Sequence, residues 1–197
     1  MLVKGIKSRP VYGGVAIDPN AKKHLFVLEG EAALCLADQK PPATEMAKAD
    51  ILYVPHGDVN QQDVLKALQP NDFWAALTLP PLLGRLDVVL LSSRMGMRLY
   101  IAGTEGFIGQ AMRVALAHGI DFNAIKTEHR GSEERRVQCV HCKGVTDHVK
   151  TQPVMCSHCG LSLLVRDHYS RRIGAFQGVC IDAEEPGTGP APEVAFP

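Results

Sequence analysis

Four cysteines in two closely spaced pairs are the residues of this chain best suited to chemistry. Cys139 and Cys142 form one Cys-x-x-Cys pair, and Cys156 and Cys159 form a second pair after thirteen intervening residues. Two thiolates separated by two residues can bind one ion from a single tight turn, and two such turns complete a shell of four sulfurs. The spacing therefore predicts one tetrahedral metal ion with these four cysteines as its ligands.

The sequence leaves the identity of the ion open between zinc and mononuclear iron, because ligand softness does not separate the two metals in four thiolates. Zinc would be structural and would compensate for a small hydrophobic core, as in zinc ribbons. Iron would make the segment a rubredoxin-like carrier of single electrons. Disulfides are disfavoured, because we expect a cytosolic chain without a secretory leader, in which paired thiols more often bind metal.

Glycines and histidines accompany both cysteine pairs. Gly144 and Gly160 follow the pairs, where we expect the backbone to turn its N–H groups toward sulfur. His141 and His158 lie inside the pairs, and four cysteines already complete the shell, so we predict that both histidines are exposed residues and not ligands. A closed shell also leaves no position for a substrate, so the chain is not expected to be catalytic alone.

A run dense in cationic and aromatic side chains follows the second pair. Residues 125–178 contain nine lysines and arginines against five acidic residues, a net charge of +4. A solvated surface and a docking surface for an acidic protein or a cofactor phosphate both fit this pattern. The candidate docking residues are Arg166, His168, Tyr169, Arg171 and Arg172.

Composition narrows the class of protein. The chain has 197 residues, of which 46% are apolar, and this suits one moderate domain plus a small module. Basic and acidic residues balance at 21 each, so the net charge does not favour binding to nucleic acid or to a membrane surface.

No stretch reaches the roughly 20 apolar residues of a membrane helix, and we expect a cytoplasmic protein. A nucleic-acid-binding zinc ribbon is disfavoured, because Tyr169 and Phe176 make a thin aromatic platform.

Upstream of the cysteines, strand patterns alternate with helical patterns, which predicts a parallel sheet flanked by helices. The fold class is therefore α/β, followed by a four-cysteine zinc-ribbon or rubredoxin-like module. The predicted strands are residues 24–30, 51–55, 97–102 and 124–128. The predicted helices are residues 31–39, 61–68 after an Asp58 cap, a segment around Phe73, Trp74 and Leu77 capped by Asn71 or Asp72, 82–90, and 107–118 followed by Gly119.

The segment Leu-Tyr-Ile-Ala-Gly-Thr-Glu-Gly-Phe-Ile-Gly-Gln-Ala-Met at residues 99–112, with residues 125–128, resembles the last strand–helix–strand of the nucleotide-binding domain in ferredoxin reductase-type flavoproteins. That family usually has Cys-Gly-Pro where Ala102, Gly103 and Thr104 stand here. Only Gly30 and Glu31 occupy the place of its glycine-rich phosphate turn, and a glutamate there would repel a phosphate. The resemblance implies a reductase-like scaffold without the nucleotide chemistry.

The whole chain, most specifically residues 139–179, resembles the small-subunit family of bacterial dimethylamine monooxygenases. The resemblance implies a cytoplasmic complex that uses NADPH, O2, flavin, an iron–sulfur cluster and heme to oxidise dimethylamine to methylamine and formaldehyde. Flavin, iron–sulfur and heme are expected on reductase and heme-containing partner subunits, because this chain lacks a further cysteine set or a flavin site. The chain would contribute its metal module to assembly or electron transfer; a stand-alone rubredoxin-like carrier and a zinc-ribbon binding protein are the alternatives.

Three regions follow from these patterns. Residues 1–130 are predicted to form the reductase-like α/β domain that lacks the phosphate-binding glycine turn. Residues 131–181 are predicted to form the metal ribbon with its basic docking segment, with residues 131–134 as the linker. Residues 182–197 form an acidic tail rich in proline and glycine, which we expect to be mobile or to become ordered only against a partner.

Overall fold

Apolar runs in the first two-thirds of the chain form one parallel sheet in the computed structural model, which describes residues 8–197. Its strands are β1 (Lys23–Glu29), β2 (Ala49–Val54), β3 (Asp72–Ala75), β4 (Met97–Gly103) and β5 (Ile125–His129). They are arranged in the order β3-β2-β1-β4-β5, and every neighbouring pair is parallel. Strands β1 and β2 are buried along almost their whole length, as expected of a sheet covered on both faces.

Helices cover both faces of this sheet, which confirms the predicted α/β class. The helices are α1 (Leu34–Ala37), α2 (Ala43–Met46), α3 (Gln62–Ala67), α4 (Leu79–Leu91) and α5 (Glu105–Ala117). Successive strand residues point to opposite faces: Leu25 and Val27 pack with α4 and α5, whereas Phe26 and Leu28 pack with α1 and α3. Gly119 follows α5 with a φ of +74°, the left-handed conformation expected after a helix end.

The helix predicted around Phe73 and Trp74 is wrong, because this segment is strand β3. Phe73 packs with one apolar cluster and Trp74 with the other, so the two rings cover opposite faces of the sheet edge. Asn71 does not cap a helix; its amide donates to the Asp50 carboxylate at 2.8 Å. Asp58 does not cap α3 either, whose preceding residue is Gln61. Pairing with β2 decides the structure of this segment against its local helical pattern.

The second unit comprises residues 132–197 together with residues 8–11, and the first comprises residues 12–131. The main sheet of the second unit contains β6 (Arg135–Cys139), β7 (Val145–Val149), β9 (Val154–Met155), β10 (Ser162–Ser170) and β11 (Ala175–Cys180). The strand order is β7-β6-β11-β10-β9, in which β6 and β11 are parallel and the other pairs are antiparallel. A separate pair joins β8 (Thr151–Gln152) to β12 (Glu193–Val194).

The expectation that the acidic tail is mobile, or becomes ordered only against a partner, is wrong at the end of the tail. Its strand β12 pairs with β8, and Phe196 is 8% exposed within the core of the second unit. The Arg135 guanidinium lies 4.1 Å from the ring centroids of both Phe196 and Phe176. Packing of an aromatic ring against a buried cation therefore fixes a segment whose composition alone suggests disorder.

No helix among residues 8–197 is both long and apolar enough to cross a membrane.

Candidate metal centre

The four cysteines of the two pairs converge in the second unit. Their Sγ atoms all lie within 4.8 Å of one another. The Cys139 and Cys159 sulfurs are 3.9 Å apart, and the Cys142 and Cys156 sulfurs are 3.6 Å apart. Each sulfur of one pair therefore faces a sulfur of the other pair, as a shared ion requires.

The two cysteine turns have the same backbone hydrogen bonds. In the first turn, the Cys139 N–H donates to the carbonyl of Gly144 at 2.9 Å, and the Lys143 N–H donates back to the Cys139 carbonyl at 3.0 Å. In the second turn, the Cys156 N–H donates to the Leu161 carbonyl at 2.9 Å, and the Gly160 N–H donates to the Cys156 carbonyl at 3.0 Å. The chain thus presents both pairs from one local backbone geometry, which the Cys-x-x-Cys spacing favours.

The two glycines after the pairs have different roles. Gly160 has a φ of +74°, and the equivalent left-handed residue of the first turn is Lys143, with a φ of +64°. The Gly144 N–H donates to Cys142 Sγ at 3.4 Å, as predicted. A Cβ at Gly144 would overlap the imidazole of His158. Gly144 is therefore required because the His158 ring lies against it, whereas Gly160 is favoured by the left-handed backbone conformation of its turn.

The surroundings of Cys156 favour its thiolate form. Burial opposes ionisation, but the backbone N–H groups of Cys159 and His158 lower the pKa of the Cys156 thiol to about 6. For Cys159, the Leu161 N–H lowers the pKa, whereas burial and the other three sulfurs raise it to about 12. Crowded sulfurs cannot all ionise without a cation between them, so the cluster is suited to an ion that neutralises them.

The donor set fits zinc or iron. Four sulfurs suit the softer transition metals and not calcium or magnesium, which require oxygen ligands. Cys139 and Cys156 are buried in the core of the unit, whereas Cys142 and Cys159 are half-buried at its surface. Cys35 and Cys180 lie outside the cluster; burial raises the pKa of the Cys35 thiol to about 12. A bound ion would therefore have two sulfurs inside the unit and two near the solvent.

The predicted docking residues separate into exposed and packed side chains. Arg166 and His168 are exposed on β10, and Arg171 and Arg172 are exposed in the turn that follows. Tyr169 is half-buried instead, and its ring packs edge-on against Phe176 with 5.1 Å between centroids. A shift in register between β10 and β11 at this point turns Tyr169 toward the core.

The basic side chains of the second unit differ in their pairing. Arg166, His168 and Arg172 make no ion pair with any residue from 8 to 197. By contrast, the Arg135 and Arg136 guanidiniums on the neighbouring strand β6 pair with Asp167 at 3.0 Å and Asp147 at 2.7 Å. The Arg166 and Arg172 side chains therefore extend from the β10–β11 hairpin without a carboxylate partner among residues 8–197.

A buried glutamate in the first unit was missed by the sequence analysis. Glu29 ends β1 and is 8% exposed. Its Oε2 accepts hydrogen bonds from the Thr104 N–H at 2.8 Å and the Thr104 hydroxyl at 2.7 Å, and its Oε1 lies 3.4 Å from His56 Nδ1. Thr104 caps α5, so an internal carboxylate lies where a helix N-terminus could receive an anionic ligand.

This carboxylate lies at the reversal of strand order between β1 and β4, where open parallel sheets commonly bind ligands. The end of β4 is closely packed against this carboxylate, because a Cβ at Gly103 would come within 2.9 Å of Glu29 Oε2 and even closer to Phe107. A charged residue closing a buried apolar strand is the sequence signal that could have identified Glu29.

Comparison with known proteins gives two successive family matches. Residues 4–125 match the family described as "Dimethylamine monooxygenase subunit DmmA-like, N-terminal domain", and residues 136–179 match the corresponding C-terminal domain. A curated relative from Ectopseudomonas mendocina (strain ymp), named "Heme-dependent oxidative N-demethylase delta subunit", is 36% identical over 107 residues. This match covers 54% of the chain and 61% of the relative, so the chain spans about three-fifths of that protein.

Solved structures give weaker similarities. The ferredoxin reductase of carbazole 1,9a-dioxygenase, in its FAD apo form, has a TM-score of 0.40 at 17% identity, covering 55% of this chain and 32% of that one. An intact type IV self-sufficient cytochrome P450 monooxygenase has a TM-score of 0.44 at 17% identity, covering 87% of this chain and 22% of that one.

Proposed function

This chain belongs to the DmmA-like family of dimethylamine monooxygenase subunits, and we propose that it is a non-catalytic subunit of a multi-component dimethylamine monooxygenase. The complex would use NADPH and O2 to demethylate dimethylamine to methylamine and formaldehyde. The four-cysteine cluster carries the proposal for this chain, because it can hold an ion but leaves no open position for a substrate. The name of the curated relative, a delta subunit of a heme-dependent demethylase, supports a role beside other subunits.

The proposed ion is zinc, and its role is to hold the second unit together for assembly. The core of that unit is small, and Cys139 and Cys156 are themselves members of it. A metal site in such a unit contributes directly to its folding free energy. Electron transfer by iron is the second candidate, favoured by the half-exposed Cys142 and Cys159, through which a partner could exchange electrons with the ion.

The first unit is proposed to be a scaffold derived from a nucleotide-binding domain. Glu29 occupies the position at the α5 N-terminus that a phosphate or carboxamide would need, and its negative charge repels a pyrophosphate. NADPH, flavin and the iron–sulfur cluster would then bind a reductase subunit, and heme a further subunit. This division leaves chemistry to the partners and assembly to this chain.

The exposed basic side chains on β10 and in the turn after it are proposed to dock an acidic surface of one of these partners. Arg166 and Arg172 make no ion pair with any described residue, and His168 and Arg171 are exposed beside them. Arginine can bind carboxylates through two parallel hydrogen bonds, and complementary charge sets register and association rate. Tyr169 packs on Phe176 and would hold the backbone that carries these side chains in place.

Reversing two of these charges tests the docking surface. We expect the Arg166→Glu/Arg172→Glu variant to bind the co-expressed partner subunits about 30- to 100-fold more weakly, because opposed like charges cost several kcal/mol at an interface. The loss should be measured as a dissociation constant and should shrink at high salt. Metal content should not change, because neither side chain contacts the cysteines.

A matched control uses two exposed arginines of the first unit, in the Arg94→Glu/Arg113→Glu variant. It changes the net charge equally and should bind the partners like the wild type. Equal binding by both double variants would show that the hairpin cations only face solvent. Failure of the wild-type chain to co-purify with any other subunit would remove the proposed function itself.

A further inference from the structure

The residues between the second pair of cysteines make contacts that the first pair lacks. The Ser157 N–H donates to Thr146 Oγ1 at 3.1 Å, and the hydroxyls of Ser157 and Thr146 lie 3.1 Å apart. His158 Nε2 donates to the Val145 carbonyl at 3.0 Å. Val145 and Thr146 begin β7, directly after the first cysteine turn. Three polar contacts therefore tie the second turn to the strand that continues the first.

Gly144 makes room for this contact. The His158 ring lies where a side chain at position 144 would be, because a Cβ there would overlap the ring atoms. The Gly144 N–H also donates to Cys142 Sγ at 3.4 Å, so the same residue contacts a candidate ligand and supports the imidazole. Removal of the glycine should displace the ring without changing any cysteine.

His141 provides an internal comparison. It occupies the same place in the first pair as His158 does in the second, two residues after the first cysteine. Both histidines are exposed, as predicted, but the His141 ring has no side-chain hydrogen bond or ion pair with residues 8–197. The two histidines look alike in the sequence, but only His158 bridges the turns.

We propose that Ser157 and His158 are positioning residues for the metal centre, which hold the two pairs of sulfurs at the separation that one ion requires. This inference rests on the proposed metal site. Each pair lies on its own turn, and the second follows β9, a strand of only two residues. Attachment to β7 fixes the second turn relative to the first, so fewer arrangements of the sulfurs compete with the one that binds. The positioning residues should therefore slow the release of the ion.

The release of zinc from the full chain to an excess of chromogenic chelator tests this inference. Supporting residues around metal ligands typically change affinity by about 10- to 100-fold. We expect His158→Ala to release zinc about 10- to 100-fold faster than the wild type, and His141→Ala to stay within about twofold. His158→Gln should recover part of the loss, because its amide can donate to the Val145 carbonyl.

A double variant separates positioning from a general loss of stability. Gly144→Ala should accelerate release in the wild type by displacing the ring, but should add little in the His158→Ala background, since neighbouring residues that act together are not additive. The cobalt-substituted His158→Ala protein should keep the absorption of a four-sulfur site. If His158→Ala does not fold, Thr146→Val, which removes only the hydroxyl, should show the faster release.

The outcomes are distinguishable. A wild-type chain that binds no ion would remove the proposed metal site, and the positioning inference with it. A wild-type chain that binds zinc, with equal release rates in His158→Ala and His141→Ala, would overturn the positioning inference alone. Full additivity of Gly144→Ala and His158→Ala would overturn it as well.

Discussion

Replacing Cys156 by serine is expected to lose the metal ion and to unfold the second unit, while the parallel sheet of the first unit stays folded. Cys156 is 3% exposed in a small core, and backbone N–H groups outweigh the effect of burial and lower the pKa of its thiol to about 6. Structural zinc contributes about 10–16 kcal/mol of apparent binding free energy at pH 7 in small domains, which is folding free energy. Metal content per chain and amide hydrogen exchange of residues 132–197 measure the two effects.

Cys180 supplies the matched control. Its thiol lies outside the cluster and donates to the Asp182 carboxylate at 3.3 Å, so Cys180→Ser should keep the ion and the exchange protection. The only tryptophan of the chain, Trp74, lies in β3 and reports on the first unit. Its fluorescence should follow the same urea transition in all three proteins. Full metal content and normal exchange in Cys156→Ser would refute the ligand assignment.

Replacing Glu29 by alanine is expected to destabilise the first unit by about 2–4 kcal/mol, because the substitution strands two buried donors of Thr104. The N-terminus of α5 also loses the negative charge that complements its dipole. Urea unfolding followed by Trp74 fluorescence should show an earlier midpoint, and Glu29→Gln, which keeps an acceptor oxygen, should lie between alanine and the wild type.

Glu31→Ala is the control for this substitution, since Glu31 is exposed two residues away and should have little effect. The wild-type chain should also show no change of its midpoint with NADPH, because a ligand stabilises only the state that it binds. A marked stabilisation by NADPH would contradict the scaffold role proposed for the first unit. An unchanged midpoint in Glu29→Ala would contradict the structural role of the carboxylate.

The sequence predicts best where chemistry or periodicity is local. Cys139 and Cys142, like Cys156 and Cys159, are spaced so that one turn presents two sulfurs, and their convergence follows from that spacing. The stripe of α5 and the apolar strands β1 and β4 are also recognisable from the order of their residues.

The sequence predicts local structure poorly where a contact with a residue far away in the chain determines it. Trp74 lies in a strand because β2 offers it a partner, and Phe196 is ordered because Arg135 lies beneath it, more than fifty residues earlier in the chain. Glu29 and Thr104 meet across two strands, and nothing local marks them as partners. The neighbours of Tyr169 in the sequence place it among the candidate docking residues, whereas the irregular pairing of β10 turns its ring onto Phe176. These features require the register and packing of the folded chain.

Elemental analysis with a visible spectrum, on the full chain expressed with both zinc and iron supplied, tests whether the four cysteines hold a structural metal ion. We expect one equivalent of zinc per chain, no colour, and four thiols that react only after the ion is removed. One equivalent of iron with a reducible red chromophore would replace the assembly role with electron transfer. A folded chain without metal, in which all four thiols react freely, would show that the cluster is not a metal site.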